Sequence, residues 1–288
     1  MVRAWWQRFR HNWMDYPLRQ GTVRAGRYRI EQSLGMGSYG QAYRCTDLAA
    51  GTPVLMKRGK PTKRSIGHQM LKRESELMRK LHHPQIPQWL NEVNHRSETL
   101  LVMDFIEGDN LEHAIMELGR TYTEREALLI VSQVLRPLKY LHEEGYVHRD
   151  VRTPNIIQNG DSVWLIDFGL ACRISEEHPD EWRRTWLADQ TDEEHEEGQD
   201  WHADSWGEVK QRMRKPEPAS DLYGLGHVFL FLMYAGYVPQ EGQEELGWEE
   251  ELSLHPAVKC FISDLLARKW ETAAQCEQEL ERVWRALS

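Results

Sequence analysis

The sequence predicts an α+β fold of two lobes: a five-stranded antiparallel sheet with one helix, then a mainly helical lobe. Three observations carry this. Between Arg27 and Phe105, short apolar runs alternate with turn residues, which is the pattern of strands, and helical spacing interrupts them once. After Glu107-Gly108 the spacing turns helical over long stretches. The length of 288 residues exceeds the usual ~100–150-residue domain and suits one large domain or two lobes.

The elements follow in order. Arg27–Leu34 reads as a strand running into glycines 35, 37 and 40, with a second strand, Gln41–Cys45, directly after them. Thr52–Lys57 is the third strand. Over residues 64–81, Met70, Leu71, Leu77, Met78 and Leu81 share one side of a helix, which His82-His83-Pro84 breaks. Gln88–Val93 and Thr99–Phe105 are two further strands around a polar turn. Helices are predicted at 110–118, 123–143, 219–235, 256–268 and 272–287, and no internal repeat is visible. The domain boundaries read as an arm over 1–24, a first lobe over 25–103 and a second over 104–288. The second lobe contains an insertion at 172–215.

Charge is distributed unevenly about a net −9. Residues 1–24 carry five arginines against Asp15, whereas 172–209 carry thirteen acids against three arginines and four of the chain's twelve tryptophans. Nucleic-acid binding needs a basic footprint, and only the short N-terminal arm offers one, so no nucleic-acid partner is expected. The four cysteines at 45, 172, 260 and 276 have no zinc-like or framework spacing, which predicts a reducing, cytoplasmic setting. The longest wholly apolar run, Val228–Tyr234, is far short of the ~20 residues that cross a bilayer.

Gly35-x-Gly37-x-x-Gly40 lets a turn bring backbone N–H groups close to phosphate oxygens. A dinucleotide fold would open a helix at the third glycine; here a strand follows. Lys57 ends an apolar strand, where its cation can reach phosphates if an acid such as Glu74 on the next helix holds it. Downstream stands His148-Arg149-Asp150-Val151-Arg152-Thr153-Pro154-Asn155, whose Asp150 suits a base for a hydroxyl proton and whose Asn155 suits a metal ligand. Asp167-Phe168-Gly169 follows a predicted strand, Val163–Ile166, and offers a second metal-ligating carboxylate.

This ordered set resembles the protein kinase family, from about Tyr28 to about Leu280. The resemblance implies the two-lobed kinase fold, with Mg·ATP as the bound nucleotide, and phosphoryl transfer by positioning and charge neutralisation. It implies that Lys57 holds the α- and β-phosphates and Glu74 orients it. Asp150 would accept the substrate's hydroxyl proton, Asn155 and Asp167 would bind Mg²⁺, and Arg152 would neutralise the γ-phosphate. Met103 falls at the gatekeeper position and Asp104, Phe105 and Ile106 at the hinge. Ala42, Leu55 and Ile157 would enclose adenine, with Ala42 and Leu55 exchanging the usual valine and alanine at conserved volume. Asp221 matches the aspartate that opens the buried helix under the catalytic loop. Serine or threonine on a protein is the expected acceptor. A small-molecule kinase and a nucleotide-binding scaffold without turnover are the alternatives, and the intact set Lys57, Glu74, Asp150, Asn155 and Asp167 opposes the scaffold.

The sequence also departs from that family. The family's Ala-Pro-Glu string has only Lys215-Pro216-Glu217 as a counterpart, four residues before Asp221. The arginine expected near the C-terminus is replaced by Trp270, so the sequence predicts that this ion pair is lost or displaced. Pro179-Asp180-Glu181 reads as a helix start inside the insertion. Thr185, Thr191 and Ser205 are candidate phosphate acceptors for Arg149, and His178, His195 and His202 a conceivable metal cluster. Trp5, Phe9 and Trp13, flanked by arginines, predict an amphipathic arm that docks on the protein's own lobe or touches a membrane.

Overall fold

The computed structural model describes residues 15–36, 40–61, 64–95, 98–177, 203–238 and 246–287. The chain divides into two compact units, Met1–Ile106 and Glu107–Ser288. The first holds one antiparallel sheet of β1 (Val23–Arg24), β2 (Tyr28–Met36), β3 (Gly40–Asp47), β4 (Pro53–Gly59), β5 (Trp89–His95) and β6 (Glu98–Asp104). Their spatial order is β1-β2-β3-β4-β6-β5. The five strands read from the sequence are joined by β1, a two-residue edge. Its turn places both Ala25 and Gly26 at positive φ, and Arg27 N donates to Arg24 O to close it.

Alternation gives the sheet two distinct faces. Along β3, Gln41, Tyr43, Cys45 and Asp47 are buried on one side, and along β4 Val54, Met56 and Arg58 share it. Helix α1 (Arg64–Met78) buries Met70, Leu71, Glu74, Leu77 and Met78. The helix stops three residues before the predicted end at 81, and Leu81 remains buried beyond it.

The second unit is built on helices α2 (Leu111–Met116), α3 (Glu124–Glu143), α4 (Ala203–Met213), α5 (Pro218–Tyr234), α6 (Trp248–Glu251), α7 (Pro256–Leu266) and α8 (Ala273–Ala286). Each long helix predicted from spacing is present, with ends moved by up to two residues. Local chemistry sets several of those ends. A reciprocal capping box between Thr123 and Glu126 starts α3, and Thr272 with Gln275 starts α8. Two short ladders complete the unit, β7 (Asp109–Asn110) with β9 (Ile156–Asn159) and β10 (Ser162–Leu165), and β8 (Tyr146–Val147) with β11 (Cys172–Arg173), of which only β10 was legible, as the strand predicted over Val163–Ile166. Helix α4, at the end of the insertion, was not predicted either. The helix start at Pro179, the tryptophans at 182, 186 and 201, the three insertion histidines and the arm over 1–14 lie outside the described residues.

Helix α5 is apolar almost all round, which is how a helix reads when other elements enclose it. Gly224 is essential to that enclosure, because a Cβ there would sit 2.7 Å from the Val151 carbonyl oxygen. Among the described residues no helix is long and apolar enough to cross a membrane, and all four cysteines are free. Gly224→Ala should therefore destabilise the protein by about 1–3 kcal/mol through overpacking, despite alanine's better helix propensity. Thermal unfolding of the variant checks this; an unchanged or raised Tm would show that the backbone contact can relax.

Candidate active site

In the first unit, Lys57 and Ala42 pair across β4 and β3, and Leu55 and Met103 pair across β4 and β6. Alternation puts Ala42, Leu55, Lys57, Leu101 and Met103 on the face opposite Tyr43 and Met56. Ala42 and Leu55 are diagonal neighbours there, close enough for their volumes to be felt together. Lys57 Nζ lies 2.5 Å from Glu74 Oε1, and the Glu74 side chain is only 3% exposed. Gly40 sits at a close approach, where a Cβ would meet the Arg58 carbonyl oxygen at 3.2 Å. Gly35 has open space around it, and Gly37 lies outside the described residues. Asp104 N donates to the Gln88 carbonyl, which anchors the strand end before Phe105 and Ile106. Cys45 belongs to the opposite, fully buried face, where burial pushes its thiol up to about 12, so it is an inert core residue.

In the second unit a buried carboxylate organises the loop after α3. Asp221 Oδ2 accepts from His142 Nε2 and from the His148 backbone N–H, both at 2.8 Å, and Oδ1 accepts from the Arg149 N–H at 2.7 Å. Burial by itself pushes the Asp221 carboxyl up. The hydrogen bond and charge of His142, with the backbone N–H of His148, outweigh it and hold the carboxyl below its ordinary value. Arg149 reaches this geometry with a left-handed backbone, φ 68°.

The loop residues then fall into place. Asn155 Nδ2 donates to the Asp150 backbone oxygen at 2.9 Å and to Asp150 Oδ2 at 2.7 Å. Arg152 Nε is 3.5 Å from the same Oδ2. His148 accepts at Nδ1 from Asp150 N and donates from Nε2 to Ile166 O, so its neutral ring carries the proton on Nε2. Phe168 packs edge-on against that ring at 4.8 Å. Asp167 follows with φ 65°, its Oδ1 taking the Gly169 N–H. Ile157 lies in β9, paired with Asn110 and Trp164.

The donor set fits a hard cation. Because Asn155 spends its NH₂ group on Asp150, its amide oxygen is turned to the other side, and Asp167 adds a carboxylate. Among the described residues no cluster of three or more His, Cys, Asp or Glu could hold a metal by itself. Mg²⁺ does not require one, since it is held by one or two carboxylates plus substrate phosphates.

Of the two outcomes expected for the ion pair, lost or displaced, the second holds: Glu217 pairs with Arg268. Arg268 stands two residues before Trp270, just past the end of α7 and at left-handed φ. Trp270 instead packs on Phe261, with ring centroids 5.2 Å apart. An arginine ending an apolar helix was a usable signal, but spacing to Thr272-Ala273 pointed at the tryptophan. His142 was likewise missed as a partner of Asp221. Arg149, the expected phosphate ligand, donates from Nε to Arg214 O at 2.6 Å and from Nη1 to Leu170 O at 3.0 Å. Thr185 and Thr191 and the side chain of Ser205 lie outside the described residues.

The family model described as "Protein kinase domain" matches residues 28–287. The "Probable serine/threonine-protein kinase YbdM" of Bacillus subtilis (strain 168) is 34% identical over 95% of this chain and 96% of its own length. The calcium/calmodulin-dependent protein kinase type II alpha chain of Drosophila melanogaster is 27% identical over 85% of this chain, which spans 43% of that relative. A crystal structure of a kinase domain superposes with TM-score 0.59 at 15% identity, covering 81% of this chain and 71% of that one, a likeness of fold.

Asp221→Ala should cost about 3–5 kcal/mol, because it strands buried donors from His142, His148 and Arg149. The lowered carboxyl implies a stabilising contribution that is full above the ordinary aspartate range, near 4, and is lost as pH falls through the lower folded value. Denaturant unfolding between pH 7 and pH 2 should show the gap between variant and wild type closing only below that range; a gap that already closes near neutrality would remove Asp221 from this role.

Proposed function

Since the chain belongs to the protein kinase family, we propose that it transfers the γ-phosphate of ATP to serine or threonine hydroxyls of a protein, with Asp150 as the base. The observation that carries this reading is the Lys57–Glu74 pair: a buried carboxylate holds the strand lysine, the arrangement phosphate binding needs. The match with YbdM over nearly the full length of both chains supports protein as the substrate.

The residues divide the work. Lys57 holds the α- and β-phosphates, and Gly35, Gly37 and Gly40 bring backbone N–H groups to them. Ala42, Leu55, Met103 and the backbone of Asp104 and Ile106 line the adenine's side of the first unit. Asp150 takes the acceptor's proton, and Asn155 keeps its carboxylate oriented through Oδ2. Arg152, half exposed and near Asp150, neutralises charge on the transferring group. Asn155 and Asp167 would hold Mg²⁺, which when bound neutralises the phosphate oxygens. The chemistry is positioning and charge, with little covalent work for the protein.

Lys57→Met and Asp167→Asn should each lower phosphoryl transfer by at least ~10²-fold while leaving the fold intact. Labelled ATP, incubated with Mg²⁺ and a generic protein acceptor, reads this directly. A Lys57→Met variant as fast as wild type would sink the assignment.

The contacts of Arg149 generate a further expectation. Its guanidinium ties the carbonyls at both ends of the segment between Leu170 and Arg214. Exhaustive phosphatase treatment should therefore leave the rate within about twofold, whereas Arg149→Ala, losing two charge-assisted hydrogen bonds, should lower kcat at least ~tenfold. Intact-mass analysis alongside the kinetics decides the matter: a rate that disappears with a removed phosphate would give Arg149 back its role as phosphate ligand.

A further inference from the structure

Gln41, Tyr43 and Arg58 are polar or hydroxylated residues on strands, yet they are only 2%, 0% and 6% exposed. They occupy the sheet face opposite Ala42 and Lys57. The segment Asp15–Leu18 lies against them. Leu18 N–H donates to the Tyr43 hydroxyl oxygen at 3.1 Å, and that hydroxyl donates to Gln41 Oε1 at 2.8 Å. Arg58 Nη1 donates to the same Oε1 at 3.1 Å, and its Nε to Glu98 at 3.0 Å. Gln41 Nε2 donates to the Asp15 carbonyl oxygen and reaches Met36 Sδ at 3.7 Å. The directions are mutually consistent: the Leu18 N–H uses the hydroxyl as acceptor, so the tyrosine proton goes to the amide oxygen, and the amide NH₂ is left for Asp15. Leu18 itself packs on the apolar cluster that holds Tyr28, Ile30 and Tyr43.

These partners bracket the nucleotide machinery. Gln41 follows Gly40 directly and pairs across the hairpin with Met36, the residue after Gly35. Arg58 follows Lys57 directly and pairs with Gln41 on the other side. The network therefore grips both flanks of the glycine turn and the strand of the lysine at once, without touching any substrate. A buried amide that loses a partner bears most of its desolvation cost, which gives the network reason to stay whole.

We propose that Asp15–Leu18 is a strap that fixes the strands flanking the glycine loop, making Gln41 and Tyr43 positioning residues for nucleotide binding. The proposal rests on the kinase reading, which supplies the nucleotide. Two full-length variants test it. Tyr43→Phe keeps the ring in the core and removes only the hydroxyl; Gln41→Leu removes both ends of the amide, and should it fail to fold, the gentler variant carries the test. The loss of one buried hydrogen bond should raise KM for ATP about fivefold with kcat within about twofold. Hydrogen exchange at the amides of Gly35, Met36, Gly40 and Gln41, measured without nucleotide, should quicken by a similar factor. Variants of a chain that binds ATP would overturn the strap if KM and exchange stayed at wild-type values while only Tm fell. A wild-type chain that bound no Mg·ATP would instead overturn the kinase reading and the nucleotide role with it.

Discussion

A carboxylate taken out of water costs several kcal/mol unless donors meet its oxygens, and the loop of the second unit is shaped by how Asp221 meets that requirement. Two of its three donors are consecutive backbone N–H groups, of His148 and Arg149. Just after those two amides the left-handed φ of Arg149 bends the chain. From that bend Asp150 emerges next to Asn155, and the His148 ring reaches Ile166, the residue before Asp167. One buried charge thus sets two loops, and Gly224, one helical turn along from Asp221, keeps the helix close enough for it.

In the first unit the governing constraint is the period of two. A slip of one residue in β3 or β4 would exchange the faces, sending Lys57 away from Glu74 and Ala42 into the core. Apolar side chains resist such a slip only weakly, since Val, Met and Tyr pack on either face. The polar network resists it specifically, because Gln41, Tyr43 and Arg58 find their partners in one register alone. The two faces are coupled by their shared backbone: the face that holds Lys57 to Glu74 is defined by the one that holds Gln41 to Arg58.

Much of this was legible in the sequence, and the reason is locality. The glycines, Lys57, the loop from His148 to Asn155 and Asp167 are signals within a few residues, and the long helices carry their spacing with them. What was not legible depends on partners far along the chain. Gln41 and Tyr43 read as ordinary strand residues, because nothing near them tells that Asp15–Leu18 will cover them. Arg268 is 51 residues from Glu217, and motif spacing pointed instead to Trp270. The edge strand β1 and the two-residue strands β7, β8 and β11 are too brief for any periodicity to register. The second unit's loop was legible as a string, whereas the contact of His142 with Asp221 emerged only with the fold.

The Glu217–Arg268 pair has a meaning beyond its energy. With side chains 44% and 21% exposed, it contributes little to stability. Its position is what counts, because the chain from 214 to 217 is also held by two other ties: Arg149 to the Arg214 carbonyl, and Ser175 N to the Pro216 carbonyl at 2.8 Å. Arg149 holds Leu170 as well, so both ends of the long acidic segment are fastened to the same few residues. A loop closed at its base can change length at small cost, about 0.6 kcal/mol for each doubling. Asp150 and Asn155 take their positions from the loop that Asp221 anchors. The carbonyls of Leu170 and Arg214 thus tie both ends of the segment to Arg149, the residue beside Asp150.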